Sequence, residues 1–79
     1  MASSMKDLVE FIAKSLVDDP TQVHVSEIEG ESAVILELRV GPEDMGRVIG
    51  KGGRTANAIR RLVRVLAAKQ GLRANLEIV

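Results

Sequence analysis

Gly46-Arg47-Val48-Ile49-Gly50-Lys51-Gly52-Gly53-Arg54-Thr55-Ala56-Asn57-Ala58-Ile59-Arg60-Arg61-Leu62-Val63-Arg64 is the stretch on which the reading of this chain turns. It holds six basic residues and no acidic one, and its centre, Gly50-Lys51-Gly52-Gly53, is a G-x-x-G element. Apolar Val48 and Ile49 precede it, and an amphipathic helical pattern follows. Glycines here permit a tight turn and let another backbone approach the main chain where side chains would block it. Amide donors at the start of the following helix then face an anion such as phosphate. The pattern points to nucleic acid, and to RNA before DNA.

Whole-chain charge conceals this signal, because 11 basic and 11 acidic residues balance. Residues 1–44 carry ten acids against Lys6, Lys14 and Arg39, a balance of −7. Residues 45–79 carry eight bases against Glu77, a balance of +7. An asymmetry of this size says more about partners than the net value does. The charges of the second half flank a glycine loop, which favours a polyanion over a merely solvated helix face.

Composition narrows the remaining classes. A chain of 79 residues has room for one small domain, here residues 1–79, with residues 1–4 expected as a disordered tail or an appended remnant. Apolar residues make up 46%, a value for a folded chain rather than a disordered one. Cysteine is absent, so disulfides and thiolate metal sites are excluded. No apolar run approaches the roughly 18 residues of a membrane span, and the N-terminus lacks a signal-peptide pattern; a cytoplasmic location is expected. His24 is the sole histidine and has no second ligand for a metal. The acid pairs Asp18-Asp19 and Glu43-Asp44 adjoin prolines and read as helix-end chemistry. With no nucleophile and base that can be located, the chain reads as a non-enzyme, without cofactor, metal or small-molecule substrate.

Working outward from the loop, a long helix is predicted from about Arg54 to Gln70, with Ala56, Ile59, Leu62, Val63, Leu66 and Ala67 buried and Gly71 as terminator. Before the loop, Pro42-Glu43-Asp44 suits the first turn of a short helix ending near Val48. Residues 33–40 form the strongest strand, with Val34, Leu36, Leu38 and Val40 on one face and Ile35 making its middle nearly continuous, as in a central strand. Residues 23–28 and 72–79 alternate as two further strands. A first helix spans Ser4 to Leu16 through Met5, Leu8, Val9, Ile12, Ala13 and Leu16, with Ser4 and Asp7 as a capping box. The order is α-β-β-α-α-β. A hairpin at Gly30 makes residues 23–28 antiparallel to 33–40, and the two-helix crossover returns 72–79 parallel. The expected fold is α+β, a mixed three-stranded sheet with three helices on one face, its core resting on Ile12, Leu36, Ile59, Leu66 and Leu76.

Other phosphate loops fail on spacing. A Walker A loop would need glycine at Met45 and a hydroxyl residue at Gly52, and a dinucleotide fingerprint would need glycine at Thr55 and a strand before the loop. Phe11, in the first helix, is the only aromatic residue, which excludes modules that stack bases on aromatic platforms. Val48 through Ile59 instead resembles the V/I-I-G-x-x-G-x-x-x-x-x-I pattern of KH domains. The element order is similar to the type II topology, and the opening Asp7-Leu8-Val9-Glu10-Phe11-Ile12 together with the loop resembles the small bacterial single-KH proteins of the KhpA-like family.

The resemblance implies single-stranded RNA as partner, its backbone gripped over about four nucleotides by the loop. Gly50 and Gly53 would form the turn, Lys51 would meet phosphate, and Gly52 would leave the main chain open. Arg47 and Arg54 would add phosphate contacts, Ile49 and Ala58 would touch bases, and Arg61 would reach the ligand from the helix. A post-transcriptional regulator or RNA chaperone of modest affinity is implied. The family also implies self-pairing, or pairing with a larger KH-containing protein. Leu62 and Val65, on a helix stripe offset from the core face, are the interface candidates.

Overall fold

Alternation of apolar residues along 33–40 puts Val34, Leu36 and Leu38 on one face of strand β2 (Ala33–Arg39), where all three are buried. Strand β1 (His24–Glu29) pairs with it antiparallel, and strand β3 (Arg73–Ile78) pairs on the other side in parallel, giving the order β1-β2-β3. The central strand is the one whose sequence is most nearly apolar throughout. Gly30 N–H donates to the Ala33 carbonyl at 2.7 Å and closes the hairpin. The parallel ladder begins with Arg73 N–H donating to Ser32 O and continues to Val79 N–H on Leu38 O, both at 2.9 Å.

The structure, a computed structural model, describes residues 3–79. Of the expected tail at residues 1–4, Met1 and Ala2 lie outside the described residues, whereas Ser3 and Ser4 belong to helix α1 (Ser3–Leu16). Ser4 is therefore inside the helix rather than at its cap, and its hydroxyl accepts from Gln70 Nε2 at 3.0 Å. Helix α2 (Met45–Ile49) follows a 3₁₀ turn at Pro42–Asp44, and helix α3 (Arg54–Lys69) follows the glycine loop. The end of α3 forms a Schellman motif: Gly71, at φ 71°, donates to Ala68 O and Leu72 donates to Ala67 O. The three helices cover one face of the sheet, and the element order is that expected from the sequence.

The core centres on Met5, Val9, Leu36, Leu38, Val48 and Val63, the largest fully buried side chains. Leu36, Ile59 and Leu76 are buried as expected, but Ile12 and Leu66 are only partly buried against the core's margin. Leu62 departs further from its expected place in the buried stripe, being 50% exposed. At about 100° per residue it lies roughly a quarter-turn from the arc of Ala56, Ile59, Val63 and Ala67 that meets the sheet. Leu8 is half-buried and Leu16 exposed, because a three-stranded sheet is too narrow to cover both margins of α1.

One acid does not fit the helix-end reading. Asp44 is 4% exposed, and no helix amide bonds its side chain as a cap. Its Oδ1 accepts from the Asp18 amide and its Oδ2 from the Asp19 amide, each at 3.1 Å. Arg47 Nε stands 3.4 Å from Oδ1. The carboxylate thus ties the link after α1 to the start of the helix–loop–helix unit. Asp19 does behave as a cap: it accepts from Gln22 Nε2 and from the amide and hydroxyl of Thr21, and these bonds hold its carboxyl below the ordinary range. Because that pKa is depressed, the stabilisation is present at neutral pH and lost on acidification.

Removing the strut would leave two partly buried amides without their acceptor and take from Arg47 one of its two carboxylates. Hydrogen bonds to a charged group contribute about 1.5–3 kcal/mol. Asp44→Ala is therefore expected to destabilise the fold by about 2–4 kcal/mol, with Asp44→Asn milder because one acceptor oxygen survives. Urea unfolding at neutral pH measures this; a change under about 0.5 kcal/mol for the alanine variant would remove the strut's assigned role.

Candidate nucleic-acid interface

The loop between α2 and α3 is built by three successive left-handed glycines: Gly50 at φ 76°, Gly52 at φ 64° and Gly53 at φ 79°. They differ in kind. Gly50 combines its φ with ψ 170°, a region open essentially to glycine alone. A Cβ at Gly50 would also lie 2.8 Å from Thr55 Cβ and 2.9 Å from Thr55 N. Gly52, at ψ 18°, lies near the left-handed helical region, and a Cβ there would meet nothing within 4 Å. Gly50 is thus required by packing against the first turn of α3, whereas Gly52 leaves its surroundings open.

Hydrogen bonding divides the loop's amides. Gly50 N–H donates to Gly46 O at 2.9 Å, Gly53 N–H to Gly50 O at 3.1 Å, and Arg54 N–H to Lys51 O. Those three are spent within the turn. An approaching anion must be met by the amides of Lys51 and Gly52 or by those of the first turn of α3. Lys51, Gly52 and Arg54 are exposed, and Ile49 beside them is 37% exposed rather than sunk in the core.

The remaining candidate residues separate into groups. Residues 49–54 come together as one surface by chain continuity. Arg47 is occupied elsewhere, donating from Nη2 to Asp18 Oδ2 at 2.9 Å as well as facing Asp44. Its charge is shared by two carboxylates, although its side chain remains half exposed. Arg61 is exposed on α3, about 10 Å along the axis from Arg54 by helical rise. Ala58, Leu62 and Val65 follow one another at i, i+4 and i+7 on a flank of α3, all exposed, with Val65 at 56%. The residue expected to touch bases and the two expected at an interface therefore share one row.

Arg60 and Asn57 have a structural role that the sequence does not disclose. Arg60 Nε donates to the Leu76 carbonyl at 3.2 Å, and its Nη1 donates to Asn57 Oδ1 at 3.1 Å. It fastens α3 to the edge strand β3. The i, i+3 spacing of Asn57 and Arg60 was visible as a pairing, but the carbonyl acceptor 16 residues away was not.

The two glycine roles yield different costs. Gly50→Ala places a Cβ against Thr55 in a backbone region alanine avoids, and is expected to cost about 2–4 kcal/mol. Gly52→Ala meets open space and bears only the left-handed penalty of about 1–2 kcal/mol. Paired thermal melts measure the difference; equal losses would mean that Thr55 does not press on Gly50.

A family model described as "KhpA/KhpB, KH domain" matches residues 6–78. The RNA-binding protein KhpA of Clostridium perfringens is 59% identical over 75 residues, covering 95% of this chain and all of that protein. The RNA-binding protein KhpA of Aquifex aeolicus is 51% identical over 77 residues, covering 98% of each chain. Among solved structures, Era from Aquifex aeolicus superimposes with a TM-score of 0.63 at 23% identity, over 94% of this chain and 29% of that one. That likeness concerns the fold. With the matched region running from α1 through β3, the chain belongs to the KhpA/KhpB KH-domain family.

Proposed function

We propose that this protein is a non-enzymatic RNA-binding module, working as a single KH unit, that grips the backbone of single-stranded RNA at Gly50-Lys51-Gly52-Gly53. The observation carrying this reading is the loop itself: an exposed lysine between left-handed glycines, with unobstructed main chain at Gly52 and Arg54 just beyond. The relatives' description as RNA-binding proteins supports it. Lys51 and Arg54 meet phosphates, the open main chain admits the sugar-phosphate backbone, and Ile49 and Ala58 give bases an apolar surface. Among the described residues no helix is long and apolar enough to cross a membrane. The role proposed is that of a cytoplasmic post-transcriptional regulator or RNA chaperone.

Replacing Lys51 and Gly52 by aspartate puts two negative charges at the phosphate position. Aspartate tolerates the left-handed region better than most residues, so the fold is expected to survive. Affinity for single-stranded RNA should fall at least tenfold, and undiminished binding by the folded variant would remove the loop from the site. With Arg47 shared between carboxylates, about three phosphates remain to be met at the loop, so log affinity for a tetranucleotide against log salt should slope at roughly −2.

A second reading is favoured by the exposed row of Ala58, Leu62 and Val65: pairing through this flank of α3, with a second copy or a larger KH-containing protein. Two linked loops on one strand would raise avidity without new contacts. Sedimentation of the RNA-free protein is expected to show a dimer at high micromolar concentration, and a folded monomer for Val65→Glu. A monomeric parent protein at that concentration would rule out self-pairing.

A further inference from the structure

At the end of α3 away from the glycine loop, a cavity of about 340 Å³ is lined by Arg64, Leu72, Arg73, Ala74 and Asn75. Its lining residues include two arginines, an asparagine and two apolar residues, with no acid. Two other depressions among the described residues are different in character. One of about 420 Å³ sets Asp18, Asp19, Glu43 and Asp44 against a single arginine, Arg47, and is net acidic. The other, about 460 Å³, has a single arginine, Arg39, beside His24.

The position of the cavity matters as much as its charge. On α3, Arg54, Asn57, Arg61 and Arg64 recur at i, i+3, i+7 and i+10, a stripe along one side of the helix. From Arg54 to Arg64 the helix rises about 15 Å, which sets the cavity well apart from the glycine loop. Strand β3 is an edge of the sheet, and Arg73 and Val79 point their amides toward β2. By alternation, the amide and carbonyl of Ala74 point outward at the α3 side of that edge. The Leu76 carbonyl is already taken by Arg60, so the next outward backbone groups toward Gly71 are those that line the cavity.

We propose that this cavity is a second nucleotide subsite, which holds a phosphate and base of the same RNA strand beyond the roughly four nucleotides gripped at the glycine loop. Arg64 and Arg73 take the phosphate, the half-buried Leu72 carries the base, and Asn75 offers a donor and an acceptor to its edge. The inference rests on the RNA reading above, and its test separates the two. Anisotropy titrations compare a single-stranded RNA tetranucleotide with a decanucleotide, for the parent protein and for Arg64→Ala/Arg73→Ala. The double variant should lose roughly twentyfold in decanucleotide affinity at 0.1 M salt and flatten the salt slope by about 1.4, which corresponds to two phosphates. Tetranucleotide binding should not change. Lys6→Ala/Arg39→Ala removes the same charge elsewhere and should leave both RNAs unaffected, while Arg64→Lys/Arg73→Lys retains the slope and guards against misfolding of the alanine form. Unchanged decanucleotide binding, or an equal loss in the Lys6/Arg39 control, overturns the subsite. Indifference of both RNAs to Lys51→Asp/Gly52→Asp overturns the RNA reading itself.

Discussion

The carboxylate of Asp44 is the constraint on which the candidate site's placement depends. Helix α2 has five residues, too few to be stable alone, because helix nucleation is costly and short helices rely on tertiary contacts. Val48 anchors one side of α2 in the core. The strut from Asp44 to the Asp18 and Asp19 amides fixes where the helix begins. Between these two restraints the chain has little freedom to move Gly50, whose own backbone is held against Thr55. The loop is thus positioned by one buried carboxylate, one buried valine and one glycine contact, and its tip at Lys51 and Gly52 is left exposed.

This arrangement gives the charge asymmetry a structural meaning. Not all of the acidic half is solvated surface: Asp44 is buried in hydrogen bonds, Asp19 caps a 3₁₀ turn, and Asp18 holds Arg47. These acids draw one basic residue of the second half away from the loop. Lys51, Arg54, Arg61 and Arg64 are exposed beyond it. The effective basic surface is smaller than a count of charges suggests, and much of it lies at the tip of the loop and along one side of α3. Limited electrostatic grip by one domain is the physical ground for expecting avidity, or a longer footprint, to matter.

The fold was legible in the sequence because each element obeys a local rule. Alternation marked β2, proline and glycine marked the boundaries, and the crossover rule set β3 parallel to β2. The glycine loop was legible for the same reason: its residues are contiguous. What escaped was non-local. Nothing near Asp44 in sequence announces that its partners are the amides of Asp18 and Asp19, and a buried carboxylate beside a proline looks like an exposed cap. Arg60 reaching the Leu76 carbonyl is invisible for the same reason. Leu62 was misjudged by about a quarter-turn: a helix with apolar residues on two adjoining arcs does not declare which arc meets the sheet.

Those two arcs also decide what α3 can do. Its buried arc carries Ala56, Ile59, Val63 and Ala67; one exposed arc carries Ala58, Leu62 and Val65, and the adjoining one carries Arg54, Asn57, Arg61 and Arg64. Sixteen residues thus present a core face, an apolar flank and a basic stripe, with little surface left over. In the proposed reading, RNA follows the basic stripe while a partner occupies the apolar flank. The two surfaces border each other along the helix, since Arg54 and Ala58, and Arg61 and Val65, are i, i+4 neighbours. A partner seated at Leu62 and Val65 would therefore stand beside Arg61, so on this helix self-pairing and RNA binding share a border. The small side chain of Ala58 keeps the boundary between them low, and a bulky residue there would set the two activities against each other.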